Sequence, residues 1–217
     1  MHRHTKQVTH IGPGLEEATR AMIMVHGRGA SPRSILELKD HLKVENMALL
    51  APAASANTWY PYSFMAPTPQ NEPGLSTGLG VLRQILQDIQ DAGIAARDTY
   101  LLGFSQGACL AGEFAARNAD TFGGVFMLSG GLIGDKLDLS LYKGDFGGSP
   151  ILLGCSDKDP HVPLPRVQES GKIFSDMGAR VIERIYPNAP HTIFEDEIEI
   201  INQILTETYE TDSATRT

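Results

Sequence analysis

The sequence predicts an α/β architecture: a mostly parallel, doubly wound sheet with helices on both faces. Two observations carry this. Short, continuously apolar runs alternate along the chain with longer stretches whose apolar residues recur at helical spacing. The short runs are apolar throughout, as strands buried on both faces must be. A chain of 217 residues has room for one domain with an ample core. Residues 1–217 are therefore read as one domain, with about 1–10 and 209–217 frayed.

The elements follow in order. Residues 7–11 are expected to add an antiparallel edge strand. Residues 22–25, Met22-Ile23-Met24-Val25, form the first central strand, and 32–44 a helix. Residues 47–51 give the next strand. In the helix predicted over 75–92, Leu79, Leu82, Ile85, Leu86 and Ile89 make one buried face. A strand over 99–104 leads into a helix over 108–118. Strands at 124–129, 151–154 and 181–186 follow, with helices at 164–177 and 194–208.

The most informative residues are Gly103-Phe104-Ser105-Gln106-Gly107. They match G-x-S-x-G between a strand and a helix, the setting of a nucleophile elbow. A sharp, strained turn there pushes the serine hydroxyl outward. Side chains at the two glycines would collide with the neighbouring strand and helix. The helix that starts there aims its N–H groups at the place where negative charge develops. The bare pattern also arises by chance; the flanking strand and helix give it weight.

A serine hydroxyl needs a base, and the base needs an orienting acid. In this architecture the acid and then the histidine follow the serine along the chain. Only His161 and His191 follow Ser105. His191 lies on the loop after the last strand, where a base reaches a nucleophile at the same sheet edge. His161 precedes that strand and is read as lining the rim. Two acids follow the strand at 151–154, Asp157 and Asp159. Asp159 precedes a proline that holds it extended and is preferred. Asp157, nearer the strand, suits turn capping.

Two backbone N–H groups are needed to hold an oxyanion. Gln106, after the serine, supplies one. The turn His26-Gly27-Arg28-Gly29, after the first central strand, supplies the other from Arg28. His26 is expected to bond within its own loop. The Arg28 side chain is expected in solvent, with a clamp on an acidic substrate as the alternative.

Together His26-Gly27-Arg28-Gly29, the serine motif, Asp159-Pro160-His161-Val162-Pro163 and His191-Thr192-Ile193 resemble the phospholipase/carboxylesterase family. That family comprises small α/β-hydrolases, carboxylesterases and acyl-protein thioesterases among them. The resemblance runs from about Ala21 to Leu205. It implies the α/β-hydrolase fold, and it places the acid immediately before the proline, at Asp159. Ala30 and Ala108 stand where the thioesterases usually carry Asp and Gly. The segment from Asn57 to Phe64 looks more like the bacterial carboxylesterases.

Composition narrows the rest. Apolar residues at 41% and charged residues at 20% suit a soluble enzyme. A net charge of −8 argues against nucleic acid and anionic membranes. No apolar run spans a bilayer, and no apolar core follows the basic start at Met1-His2-Arg3, which predicts cytoplasmic residence. Cys109 and Cys155 are read as packing residues in a reducing compartment. They lack metal-ligand spacing, and neither a metal nor a cofactor is expected. No insertion is long enough for a lid domain. The proline-rich stretch 52–73 is long for a compact domain, and loops of that kind usually serve function. Its Trp59, Tyr60, Tyr62 and Phe64 are expected to line the substrate pocket.

The expectation is a serine carboxylesterase acting on small, short-chain esters, with Ser105, His191 and Asp159 as the triad. A thioesterase or lysophospholipase with the same triad is the alternative. A non-catalytic binding module on the same scaffold is the remote one, since such modules usually lose a triad member. Oligomeric state is not legible.

Overall fold

The structure, a computed structural model, describes residues 3–215. Its elements run β1 (Val8–Ile11), β2 (Arg20–Val25), α1 (Pro32–Leu36), β3 (Met47–Pro52), α2 (Gly74–Asp91), β4 (Thr99–Phe104), α3 (Gln106–Arg117), β5 (Gly124–Leu128), β6 (Pro150–Ser156), α4 (Leu164–Asp176), β7 (Arg180–Tyr186) and α5 (Glu195–Thr215). The strands form one sheet in the order β1-β3-β2-β4-β5-β6-β7. β1 pairs antiparallel with β3, and every other pairing is parallel.

Alternate residues of each strand feed two cores. Ile23, Val25, Leu101, Met127 and Leu153 face α2, α3 and α4, which contribute Leu82, Ile85, Phe114 and Phe174. Met22, Met24, Leu102, Phe126 and Leu152 face α1 and α5, which contribute Leu36, Ile201 and Leu205. Both faces of the central strands are covered, so those strands are buried nearly throughout, whereas the edge strands β1 and β7 carry polar residues. On α2, Leu82, Ile85 and Ile89 are buried as expected, and Val81 joins them; Leu79 and Leu86 pack at the edge.

Three expectations about elements fail. The helix predicted over 32–44 stops at Leu36 and tightens into a 3₁₀ turn, Glu37–Asp40. Only Ile35, Leu36 and Leu42 are buried there. The following backbone is taken up by α5, whose Asn202 side chain accepts from Lys43 N–H (2.7 Å) and donates to His41 O (2.9 Å). The start of the chain is not frayed. His4 is buried, its Nε2 2.7 Å from Trp59 O and its Nδ1 3.0 Å from Ser55 N–H, and Gln7 O accepts from Ala53 N–H. At the other end α5 continues to Thr215, through a stretch with no glycine or proline to stop it. The fraying expected of Met1, His2, Arg216 and Thr217 lies outside the described residues.

The connection from β5 to β6 has no α-helix, only the 3₁₀ turn Leu139–Leu141. Two buried charges fasten it. Glu113 of α3 accepts from Ile133 N–H (3.0 Å) and Tyr142 O–H (3.2 Å) while pairing with Arg117 (2.7 Å). Arg166 of α4 donates to the carbonyls of Leu132 (3.0 Å) and Gly134 (2.6 Å).

The first turn of α3 presses onto β2. A Cβ at Gly107 would fall inside contact distance of Val25 O and His26 O, and one at Gly103 would strike the backbone of Gly107 and Ala108. Gly107→Ala is therefore expected to lower the unfolding free energy by about 3 kcal/mol or more. Urea denaturation measures this; an unchanged midpoint would mean that the helix does not press on β2 so closely.

Candidate active site

Ser105 sits between β4 and α3 with φ 55° and ψ −121°, a conformation L-residues rarely adopt. Such strain costs about 1–3 kcal/mol and persists only where the surroundings enforce it. Here Ser105 N–H donates to Leu128 O of β5 (2.9 Å), and Ser105 O accepts from Cys109 N–H (3.1 Å). The side chain is left pointing off the carboxyl edge of the sheet.

Two loops at that edge meet the serine. Ser105 Oγ lies 2.9 Å from His191 Nε2, and His191 Nδ1 lies 2.6 Å from Asp159 Oδ2. With Nδ1–H donating to the carboxylate, Nε2 is left to accept from the hydroxyl. The Asp159 side chain is fully buried and that of His191 is 16% exposed. Burial pushes the Asp159 carboxyl up. The hydrogen bonds from His191 and from the N–H groups of His161 (2.8 Å) and Val162 (3.0 Å), with the imidazole charge, outweigh burial and hold it below the usual carboxylate range. Asp157 caps the other loop: its Oδ1 accepts from Asn188 N–H (2.7 Å), three residues before His191. The His161 ring stands edge-on to His191 at 5.0 Å, and Phe104 packs against His191 at 5.1 Å. Phe104 was not expected at the site, although its position next to the serine is a signal for it.

Gly27 abuts Phe104 O and the Ser105 side chain, bringing the turn after β2 against the elbow. Arg28 and Gln106 both line the cleft at Ser105, each with a backbone N–H to donate. Among the described residues neither has a protein acceptor; as the first residue of α3, Gln106 has none within its helix.

The model of the phospholipase/carboxylesterase family matches residues 7–209. The chain belongs to that family.

Acyl-protein thioesterase 1 of Kluyveromyces lactis is 32% identical over 102 residues, 46% of this chain and 45% of that protein. The enzyme of the same name from Neurospora crassa is 28% identical over 141 residues, 64% and 57% of the two chains. The chain thus spans about half the length of the curated relatives it matches. Among solved structures, a phospholipase/carboxylesterase from Dyadobacter fermentans is 46% identical with a TM-score of 0.93, over 94% of this chain and 99% of that one. Acyl-protein thioesterase 2 of Zea mays, at 16% identity and a TM-score of 0.66 over 94% and 99%, shares the fold. That fold is the α/β-hydrolase fold, as the family resemblance implies.

A cleft of about 520 Å³ opens over Ser105. Tyr60, Tyr62, Phe64 and His161 border it, together with Phe104, Cys109 and Val162. Trp59 does not. Its side chain is fully buried, packed 5.2 Å from both His4 and His26, and its indole N–H donates to His26 O (2.9 Å). The indole is a bolt between the aromatic loop and the turn after β2, and the cleft begins one residue later. Arg28 is exposed, as expected, but its side chain is also engaged with the protein. It donates to the carbonyls of Pro61 (3.0 Å), Tyr60 (2.9 Å) and Tyr62 (2.7 Å). Gln106 holds the same loop, accepting from Trp59 N–H (2.9 Å) and donating to Tyr60 O (2.8 Å). His26 reaches beyond its own loop: Nδ1 meets Gly27 O (2.8 Å) and Nε2 accepts from Ala54 N–H (3.2 Å). Burial lowers its pKa, which favours the neutral ring those bonds require.

Cys109 and Cys155 are buried and unpaired. Among the described residues no group of three or more His, Cys, Asp or Glu is arranged to hold a metal, and no helix is long and apolar enough to cross a membrane.

Behind the His191 loop, Glu197 is fully buried. One oxygen accepts from Phe194 N–H (2.7 Å); the other has no partner among the described residues. Burial, opposed by that N–H and reinforced by the charge of Asp196, raises its pKa from 4.5 to about 7. Below pH 4.5 the carboxyl is neutral in both folded and unfolded chains. Between 4.5 and 7 the unfolded chain ionises first, so stability falls; above 7 the penalty is constant, about 3 kcal/mol. Glu197→Gln, which cannot ionise, should gain on the wild type across that window. Urea denaturation at pH 4.5 and pH 8 tests it, and a difference independent of pH would show that the carboxyl is not held neutral.

Proposed function

We propose that this chain is a serine carboxylesterase acting, as one domain, on small esters of short-chain acids. The observation that carries the reading is the unbroken line of hydrogen bonds from Ser105 Oγ through His191 to Asp159, at 2.9 and 2.6 Å. Ser105 Oγ attacks the ester carbonyl carbon as His191 Nε2 takes its proton. The negative charge moves to the carbonyl oxygen, held by the N–H groups of Arg28 and Gln106. The carbon–oxygen bond to the alcohol then breaks, and His191 returns the proton to the leaving oxygen. Water, deprotonated by the same nitrogen, attacks the acyl-serine and releases the acid. Asp159 keeps the imidazole in the required tautomer and stabilises its charged form. His161, Tyr60, Tyr62 and Phe64 border the substrate. The buried free thiols favour a cytoplasmic setting, and the net charge of −8 disfavours a nucleic-acid partner.

Ser105→Ala should cut kcat/KM on p-nitrophenyl butyrate at least about a thousandfold with the fold intact. Asp159→Asn should cost far more activity than Asp157→Asn, since asparagine favours the wrong tautomer of His191. A Ser105→Ala protein with a tenth of wild-type activity, or Asp157→Asn as the more damaging change, would overturn these roles.

Chain length tests the substrate class. Of the residues lining the cleft, Tyr60 and Cys109 are buried, whereas Tyr62 is 57% exposed. An added methylene contributes roughly 0.8 kcal/mol only while a wall buries it. The kcat/KM series on p-nitrophenyl esters should peak at a short acyl chain, and a steady rise through palmitate would refute the short-chain reading. The likeness to acyl-protein thioesterases supports a second reading, thioester hydrolysis. A butyryl thioester turned over much faster than the matching oxygen ester would favour it.

A further inference from the structure

The two backbone donors proposed for the oxyanion come from different elements, Arg28 from the turn after β2 and Gln106 from the start of α3. Such a hole works only if its donors are held at one spacing before the charge develops. The packing of the elbow fixes Gln106. The turn is less well served. Arg28 is exposed and stands between Gly27 and Gly29, the latter at φ 75°, and glycine leaves a backbone freer than any other residue does. Backbone restraint comes from Gly29 N–H, which donates to Asn57 O (2.7 Å), and from Ala30 N–H, which donates to Gly27 O (3.2 Å). The Arg28 side chain adds three bonds, to the carbonyls of Tyr60, Pro61 and Tyr62. One of these, Tyr60 O, also accepts from the Gln106 amide, at 2.8 Å against 2.9 Å from Arg28. The side chains of both donor residues thus close on a single oxygen.

We infer, on the serine-esterase reading above, that the Arg28 guanidinium is a positioning residue for the oxyanion hole. Through Tyr60 O it ties the turn that carries one donor to the helix that carries the other. The geometry requires arginine. Two nitrogens of one planar fork reach three successive carbonyls, Nη2 taking Tyr60 and Tyr62 and Nη1 taking Pro61. A lysine ammonium is a single point on a flexible stem and cannot span them. The three bonds are charge-assisted, and so stronger than bonds between neutral groups. With the tie cut, the glycines on either side would let the Arg28 N–H drift, and about 1 Å of misplacement can cost up to about a hundredfold in rate.

The test uses Arg28→Lys and Arg28→Met in the full chain. On p-nitrophenyl acetate, whose acyl group is too small to lean on the loop, kcat/KM should fall about tenfold or more in both, less than the loss from deleting a donor outright. Two inhibitors separate positioning from a merely structural role. Trifluoromethyl butyl ketone takes the serine: Ser105 Oγ adds to its carbonyl carbon, His191 takes the proton, and the carbonyl oxygen becomes the oxyanion. Methyl butyl ketone occupies the same cleft without that addition. The inhibition constant of the first should rise by about the factor lost in kcat/KM, and that of the second should stay within about twofold. A role confined to shaping the loop would weaken both ketones alike and overturn the proposal. Arg28→Lys with at least about half of wild-type kcat/KM would also overturn it, since charge without the fork would then suffice. That variant keeps the charge at an exposed site, and it carries the test alone if Arg28→Met does not fold. Hydrolysis that survives Ser105→Ala, or a wild type that binds the two ketones equally, sinks the serine-oxyanion reading and the proposal with it. A wild type that prefers the trifluoromethyl ketone, with both variants preferring it as strongly, sinks the proposal alone.

Discussion

The close approach of the first turn of α3 to β2 is the constraint on which the rest of the site depends. Only hydrogen fits at Gly107 against Val25 O and His26 O, or at Gly103 against the backbone of that same turn. This contact fixes where the helix begins and forces Ser105, between the two glycines, into a conformation it would not choose. The strain is held by hydrogen bonds from both neighbours, Leu128 O in β5 and Cys109 N–H in α3. A looser junction would let the serine relax toward ordinary backbone angles, and its hydroxyl would leave the reach of His191.

From that junction the structure uses the same residues twice. Arg28 and Gln106 line the cleft, leave their backbone N–H groups without a protein acceptor among the described residues, and commit their side chains to the aromatic loop. Arg28 takes three successive carbonyls, of Tyr60, Pro61 and Tyr62; Gln106 takes Trp59 N–H and Tyr60 O. The loop wall and the two N–H donors therefore cannot move independently. A long stretch with no strand and no α-helix gains the rigidity of the sheet it is tied to, and the Trp59 indole closes the arrangement from beneath by donating to His26 O.

The strands and most helices were legible because double-sided burial writes continuous apolar runs, and a buried helix face writes a 3.6-residue period. The positions of Ser105, Asp159 and His191 along the chain were legible because each follows a strand at one sheet edge. What stayed hidden depends on long-range partners. Nothing near residue 37 announces that Asn202 will claim the backbone at 41 and 43, so the helix over 32–44 was drawn too long. The tie of His4 to Trp59 O spans 55 positions and turned an expected frayed end into an anchored one. The burial of Trp59 and the carbonyl contacts of Arg28 were missed for one reason. Residue type gives aromatic size or charge, whereas three carbonyls converging on a guanidinium, or an indole wedged between two imidazoles, exist only after the loop has closed.

The buried charged groups differ in how completely they are satisfied. Glu113 and Arg166 bury charge and satisfy it against the backbone of the helix-free β5–β6 connection. They act as staples, since removing either would leave several buried groups without partners. Glu197 Oε1, in the helix that follows the His191 loop, is buried without a hydrogen bond among the described residues. A core selected only for stability would replace that carboxyl, since an unpartnered buried oxygen costs free energy and an apolar group of like shape does not. Such an exception in a native interior points to a requirement other than packing.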